Sequence, residues 1–92
     1  MDKFEADALL WTTEPFKHAT PETQILKLQA ELVEFLENPT LEEAADILVC
    51  LSGWAWHKGY SMEVLLDYWA AKNTINLNRT WTRQENGTWQ HD

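Results

Sequence analysis

Apolar side chains recur at helical spacing in three successive stretches of this chain. A threonine or serine that can cap a helix N-terminus precedes each stretch, and Pro21 stands at the first helical position of the first one. Gly59 marks the end of the second stretch, because glycine favours the backbone conformation that closes a helix. The pattern therefore predicts three helices, at residues 21–37, 41–58 and 62–80, capped by Thr20, Thr40 and Ser61.

The second predicted helix is apolar nearly all round. Ile47, Leu51 and Trp54 form one apolar face, yet Val49 and Trp56 cover the reverse face. A helix of this kind is expected to be buried on both sides. Because a chain of 92 residues has few elements to cover it, we expect a second subunit to supply the missing cover.

The segments before and after these helices carry different signals. Residues 1–19 predict an N-terminal arm, either a short helix or an extended segment, which Pro15 ends. In residues 81–92, tryptophan and arginine side chains alternate around Asn86-Gly87, which indicates a β-hairpin with a two-residue loop.

The predicted fold is a single all-α domain that covers residues 1–92. It is an antiparallel bundle of three to four helices, completed by oligomerisation, with a short hairpin-like tail. The helical core spans residues 20–80, between the N-terminal arm and the C-terminal tail.

Composition narrows the classes of function. A hydrophobic content of 45%, with six tryptophans, is too apolar for a disordered chain. The net charge of −8 argues against a protein that binds nucleic acid, because no basic stripe is available to replace counterions. An acidic protein that handles phosphates would need metal ions to mediate the contact.

The cysteine content and the N-terminus bear on the compartment. Cys50 is the single cysteine and lies in an apolar run, which fits a reducing compartment. The N-terminus is charged and lacks the apolar region of a signal peptide, and no apolar run reaches membrane-spanning length. We therefore expect a cytoplasmic protein without membrane association.

Four acidic residues stand in two pairs on either side of the break between the first two helices. Glu31 and Glu34 precede the break at residues 38–40, and Glu43 and Asp46 follow it. Each pair has i, i+3 spacing and so shares one face of its helix. The pairs are symmetric about the break. A helical hairpin would therefore place Glu31 opposite Asp46 and Glu34 opposite Glu43.

Carboxylates at such close range need protonation, basic partners or a cation. A cluster of oxygen ligands without His or Cys suits Mg²⁺ or Mn²⁺. Alternatively, Glu43 closes a capping box with Thr40 while the other acids line solvated faces. A di-iron bundle is a weaker alternative, because it uses Glu-x-x-His pairs and this chain has none. His57 is either a ligand contact or a structural histidine.

A polar stripe is predicted at the end of the third helix. Lys72, Asn76 and Arg79 are spaced by four and three residues, so they share one helix face. Such a stripe either complements the helix dipole or, if it faces the acid cluster, binds phosphate groups.

The two acid pairs and the helix break between them resemble the signature of the MazG-type all-α nucleoside triphosphate pyrophosphohydrolases. The downstream K-x-x-x-N-x-x-R, with a tryptophan at position 81, adds to the resemblance. Residues 24–82 look most like the dATP/dGTP diphosphohydrolase branch that is often found in phages. One departure is Lys27, where many relatives carry a histidine.

This resemblance implies hydrolysis between the α and β phosphates of purine nucleotides, dGTP or dATP, to a monophosphate and pyrophosphate. More than one Mg²⁺ or Mn²⁺ ion would be held by the four acids, and Glu31 or Glu34 would orient or deprotonate the attacking water. A homodimer or homotetramer is implied, in the host cytoplasm if the protein is phage-encoded. The implied substrate contacts are Lys27, Lys72, Asn76, Arg79 and Trp81, with Trp11, Trp54 or Trp81 stacking on the base.

A second class of function stays open beside the enzyme. The chain could be a non-catalytic helical oligomer or adaptor, in which the acidic residues only confer solubility. Such a protein would show no metal-dependent turnover of nucleotides.

Overall fold

The computed structural model describes residues 1–92, which form four α-helices and one two-stranded antiparallel sheet. This confirms the all-α class and the hairpin-like tail. In chain order the elements are α1 Lys3–Thr12, α2 Pro21–Glu37, α3 Leu41–His57, α4 Met62–Leu77, β1 Trp81–Arg83 and β2 Trp89–His91, with a 3₁₀ turn at Phe16–His18 between α1 and α2.

The first two of the predicted helices pair as an antiparallel hairpin, and local capping sets where each begins. Thr20 and Thr23 exchange hydrogen bonds between side chain and backbone, at 3.1 and 2.9 Å, in a capping box. The Thr40 hydroxyl accepts the backbone N–H of Glu43 at 3.2 Å. Each bond satisfies an N–H that a helix start leaves without a partner. The three-residue break between the helices then folds α3 back along α2.

Helix α4 ends at Leu77, earlier than the expected end near Thr80. The backbone N–H of Asn78 donates to the carbonyl of Ile75 at 3.0 Å. The side-chain amide of Asn78 donates to the carbonyl of Thr74 at 2.8 Å. Asparagine side chains compete with the helical ladder for such carbonyls, which favours termination.

The N-terminal arm is helical and supplies part of the core. The Asp2 carboxylate caps α1 by accepting the N–H groups of Phe4 and Glu5, both at 2.9 Å. Trp11 is 2% exposed and packs against α3, and its indole N–H donates to Asp7 of α1 at 3.0 Å and to Ser52 of α3 at 3.3 Å. The buried apolar side chains of the domain are Trp11, Cys50 and Ala55.

The C-terminal hairpin has a three-residue loop, so the prediction of a two-residue loop is wrong. The Gln84 N–H donates to the Thr88 carbonyl at 2.7 Å, and the Gly87 N–H donates back to Gln84 at 3.0 Å. A two-residue type I′ loop needs positive φ at both central residues. Here only Gly87 has it, at 88°. Asn86 instead accepts the N–H and hydroxyl of Thr88, at 3.1 and 2.6 Å.

The single chain covers little of its apolar surface. Only 7 of 92 residues are buried, and α4 contains none of them. The radius of gyration is 15.6 Å, whereas a compact domain of this length has about 12 Å. Large apolar side chains remain exposed along the helices, among them Leu36, Leu48, Tyr68 and Trp69. None of the helices is both long and apolar enough to cross a membrane.

Candidate metal centre

The α2–α3 hairpin brings the four acidic side chains of the two pairs together. Each of Glu31, Glu34, Glu43 and Asp46 offers a carboxylate oxygen, and these four oxygens all lie within 4.8 Å of one another. Two acids come from the C-terminal half of α2 and two from the first turns of α3. Because the two pairs are symmetric about the helix break, the hairpin brings them together as a cluster of oxygen ligands.

Two oxygens of this cluster are buried without a hydrogen-bond partner. They are Oε2 of Glu31 and Oε2 of Glu43, and the Glu31 side chain is only 7% exposed. A buried polar atom without a partner is uncommon and costly in a folded protein. A divalent cation held by these oxygens would satisfy both, and four carboxylates are the ligand type that Mg²⁺ and Mn²⁺ prefer. The residues present thus fit a metal ion.

The capping-box alternative does not account for Glu43. Its backbone N–H makes the cap with Thr40, whereas its side-chain Oε2 is buried in the acid cluster instead of bonding the backbone of the cap. His57 makes the contacts of a structural histidine. Its Nε2 donates to the carbonyl of Phe16 at 3.1 Å, and its ring packs edge-on against Trp11.

Lys27 is the basic partner of the cluster. Its ammonium lies 2.9 Å from Oε1 of Glu31, one turn away along α2. This hydrogen bond and charge raise the pKa of Lys27 and, as the largest cause, lower the pKa of Glu31. One ammonium on a side chain that is 59% exposed offsets only part of the charge of four carboxylates.

The neighbouring carboxylates destabilise the ionised form of Glu34. Its pKa is raised, chiefly because its carboxyl group lies beside the Glu31 carboxylate and in that residue's negative field, with burial and Glu43 adding smaller effects. A carboxylate whose pKa is raised accepts a proton more readily than one whose pKa is lowered.

These opposite shifts predict how metal-free stability depends on pH. Because the folded pKa of Glu34 lies above its unfolded value, ionised Glu34 destabilises the fold, and protonation relieves this as the pH falls through the folded pKa. Glu31 stabilises the fold above the ordinary glutamate pKa of about 4.3, and this is lost as the pH falls through its lowered pKa.

With EDTA present, we therefore expect the melting temperature to rise as the pH is lowered from about 7 to about 5, and to fall at more acidic pH. Differential scanning fluorimetry across this range measures it. The rise should shrink in Glu34→Gln. If that variant and the parent chain followed the same curve, the charge crowding at Glu34 would be refuted.

The predicted substrate contacts at the end of α4 gather around the tail. The indole N–H of Trp81 donates to the Asn76 carbonyl at 2.8 Å. Arg79 donates to the Asn76 side chain at 3.3 Å and to Nδ1 of His91 at 3.4 Å. Lys72, one turn before Asn76, makes no ion pair or hydrogen bond. Asn76 and Arg79 are thus bonded to the hairpin, and Lys72 and Arg79 are cationic groups without carboxylate partners.

A single chain does not bring this stripe to the acid cluster. Helix α4 packs on α1 and α3 but not on α2, and the hairpin contacts the helices only at the C-terminal end of α4, through Trp81. Of the predicted substrate contacts, only Lys27 lies at the acids within one chain.

A cavity of about 300 Å³ lies between α2 and α3, on the N-terminal side of the Glu31–Glu34 pair along α2. The sequence pattern gave no sign of its one polar side chain, Gln24, because a lone glutamine in an amphipathic helix carries no motif. Burial raises the pKa of the Cys50 thiol in its wall, which leaves that thiol unreactive. The lining residues are Gln24, Ile25, Leu28, Cys50, Leu51 and Trp54.

Comparison with solved structures relates the chain to a protein of known activity. No protein-family model matches the chain, and no curated protein matches it. Among solved structures, the chain is similar to the cyanophage S-2L MazG-like pyrophosphohydrolase, which was solved bound to dGDP and three catalytic Mn²⁺ ions per active site. The two chains are 30% identical, the similarity covers 96% of this chain and 89% of the other, and the TM-score is 0.70.

Proposed function

The chain belongs to the MazG-like pyrophosphohydrolase family, and we propose that it hydrolyses the bond between the α and β phosphates of purine nucleoside triphosphates, dGTP or dATP, with the aid of divalent metal ions. The products are a nucleoside monophosphate and pyrophosphate. The observation that carries this proposal is the pair of buried, unpartnered carboxylate oxygens on Glu31 and Glu43, inside a cluster of four acids.

The four acids are the proposed metal ligands, and the proposed ions are Mg²⁺ or Mn²⁺, more than one per site. The solved relative holds three Mn²⁺ ions per active site. When bound, such ions neutralise the triphosphate, polarise the α-phosphoryl group and lower the pKa of an attacking water.

Glu31 and Glu34 are proposed to handle the proton of the attacking water. Glu34 is the exposed member of the pair, and its pKa is raised by Glu31. It is therefore placed to orient the water and to accept its proton. Glu31, whose pKa is lowered by Lys27, stays ionised as a ligand.

Cationic and polar side chains are proposed to hold the phosphates. Lys27 contacts Glu31 and is more than half exposed, so its ammonium can turn to a phosphate oxygen. Lys72 and Arg79 would stabilise charge on the departing pyrophosphate, and Asn76 would position it. Trp81 is held beside them through its bond to Asn76.

We propose that a second copy of the chain brings this stripe to the acids, in a homodimer or homotetramer. The support is the extended shape of the single chain, with a radius of gyration of 15.6 Å, and the exposed apolar surface of α4. Light scattering on a size-exclusion column should give two or four times the chain mass of 10.8 kDa. A monomeric mass would refute the shared site.

A turnover panel tests the proposed substrate class. Each deoxynucleoside and ribonucleoside triphosphate is offered separately with Mg²⁺ or Mn²⁺, and its consumption is followed. We expect purine deoxynucleotides to be consumed fastest and EDTA to stop the reaction. No consumption of any nucleotide with either metal would favour the non-catalytic oligomer or adaptor instead.

A further inference from the structure

The cavity between α2 and α3 adjoins the acid cluster. Gln24, Leu28 and Glu31 are spaced by four and three residues, so they follow one face of α2. Cys50 lies one turn after Asp46 on α3 and lines the same cavity. The pKa of its thiol is raised chiefly by burial, with the negative charges of Glu31 and Asp46 adding to the effect. The cavity therefore begins about one helical turn from the acids on both α2 and α3 and extends to Gln24.

Gln24 is the one polar side chain in the cavity lining. It is 9% exposed and its amide makes no hydrogen bond within the chain, while the amide atoms keep some accessible surface, which leaves them available to a ligand. Its position is fixed by close neighbours: a Cβ built on Gly53 would lie 2.6 Å from Gln24 Nε2 and 2.5 Å from Cζ2 of Trp11. The amide nitrogen thus lies beside Gly53 and the indole ring.

The spacing along the helix suits a nucleotide. Seven residues separate Gln24 from Glu31, which corresponds to about 10 Å along the α2 axis. The ribose and base of a nucleotide whose α phosphate lies at the acids extend over a similar length. Trp54 in the cavity wall offers an aromatic surface on which a base can stack. An apolar pocket with one placed polar group is typical of a site that fixes a ligand's orientation.

We propose that Gln24 reads the base of the purine nucleotide; this rests on the proposed function. A glutamine amide presents a donor and an acceptor side by side, which match N6–H and N7 or N1 of adenine. Turned over, the same amide matches O6 and N1–H of guanine. Gln24 therefore admits both purines, and the pairing requires an amide at this position.

Replacement of Gln24 by glutamate tests this directly. A carboxylate only accepts hydrogen bonds. Guanine offers two donors, N1–H and the N2 amino group, whereas adenine presents an acceptor beside its one donor. We expect the ratio of kcat/KM for dGTP over dATP to rise about tenfold in Gln24→Glu, as one bidentate base contact allows. Gln29→Glu is the matched control, because it adds the same charge at an exposed position of α2 and should leave the ratio unchanged.

Gln24→Leu provides a second variant that adds no buried charge. It should raise KM for both purines about tenfold and leave kcat nearly unchanged. Binding of dGMP and dAMP, measured by calorimetry, reports on the same pocket without turnover. We expect Gln24→Glu to shift this binding towards dGMP.

The outcomes separate the two proposals. If the parent chain hydrolyses purine nucleotides and both Gln24 variants keep its base ratio and KM, Gln24 does not read the base. A changed oligomer mass in Gln24→Leu with unchanged base selectivity would likewise overturn the proposal and mark the cavity as a subunit contact. If the parent chain neither hydrolyses nor binds any nucleotide, the proposed function and the role of Gln24 both fail.

Discussion

Glu34→Gln is expected to lower kcat by about a thousandfold, a loss typical of removing one group that acts directly in the transition state. The amide cannot accept a proton from water and is a weaker ligand for a hard cation. The fold should persist, because Glu34 is exposed and its ionised form is disfavoured by Glu31 and Glu43. With EDTA, the variant should melt at a higher temperature than the parent chain.

The same variant should gain less stability from metal. A ligand that binds only the folded state raises the melting temperature according to its affinity, so removal of one carboxylate should reduce the rise caused by Mn²⁺. Glu37→Gln is the matched control: it makes the same charge change one turn later on α2, outside the acid cluster. Normal turnover by Glu34→Gln, with full stabilisation by Mn²⁺, would contradict the assignment of the site.

Gly53→Ala is expected to destabilise the fold by about 2 kcal/mol, within the range for overpacking of a tight core. Gly53 is buried in α3, and an added Cβ would overlap Cη2 of Trp11 and press on the Gln24 amide. Helix propensity alone predicts the opposite, because alanine is favoured over glycine by about 1 kcal/mol inside a helix. Thermal unfolding in EDTA should show a fall of about 10 °C.

A double-mutant cycle separates packing from backbone effects. Trp11→Leu removes the overlapping ring, so Gly53→Ala should cost much less stability in that background. Gly59→Ala is the control, because Gly59 has φ of 96° and open space around it. Its cost comes from the backbone and should be equal with and without Trp11. If Gly53→Ala raised the melting temperature of the parent chain, the close packing of α1 on α3 would be wrong.

Features that depend on local chemistry were predictable from the sequence. The starts of α2, α3 and α4 follow from Thr20, Thr40 and Ser61, whose side chains each accept a backbone N–H of the first turn. The meeting of the acid pairs followed from their symmetry about the three-residue break, since a helical hairpin leaves one register for such pairs. These inferences need only the helical repeat and a turn.

Features that depend on a competing side-chain hydrogen bond or on long-range packing were not predictable. The hairpin loop was assigned two residues because Asn-Gly usually forms such loops, yet the Asn86 side chain bonds Thr88 and leaves only Gly87 with positive φ. The burial of Gln24 depends on Gly53 and Trp11, which approach it from two other helices. The sequence also placed Lys72 and Arg79 on one stripe, but their separation from the acids depends on how α4 packs.

The products formed from dGTP test the proposed cleavage between the α and β phosphates. The chain is incubated with dGTP and Mn²⁺, and the products are resolved by ion-exchange chromatography from the earliest time points. We expect dGMP and pyrophosphate in equal amounts, with no dGDP at any time and no reaction in EDTA. Release of inorganic phosphate with dGDP as the first nucleotide product, or turnover that persists in EDTA, would contradict metal-dependent cleavage between the α and β phosphates.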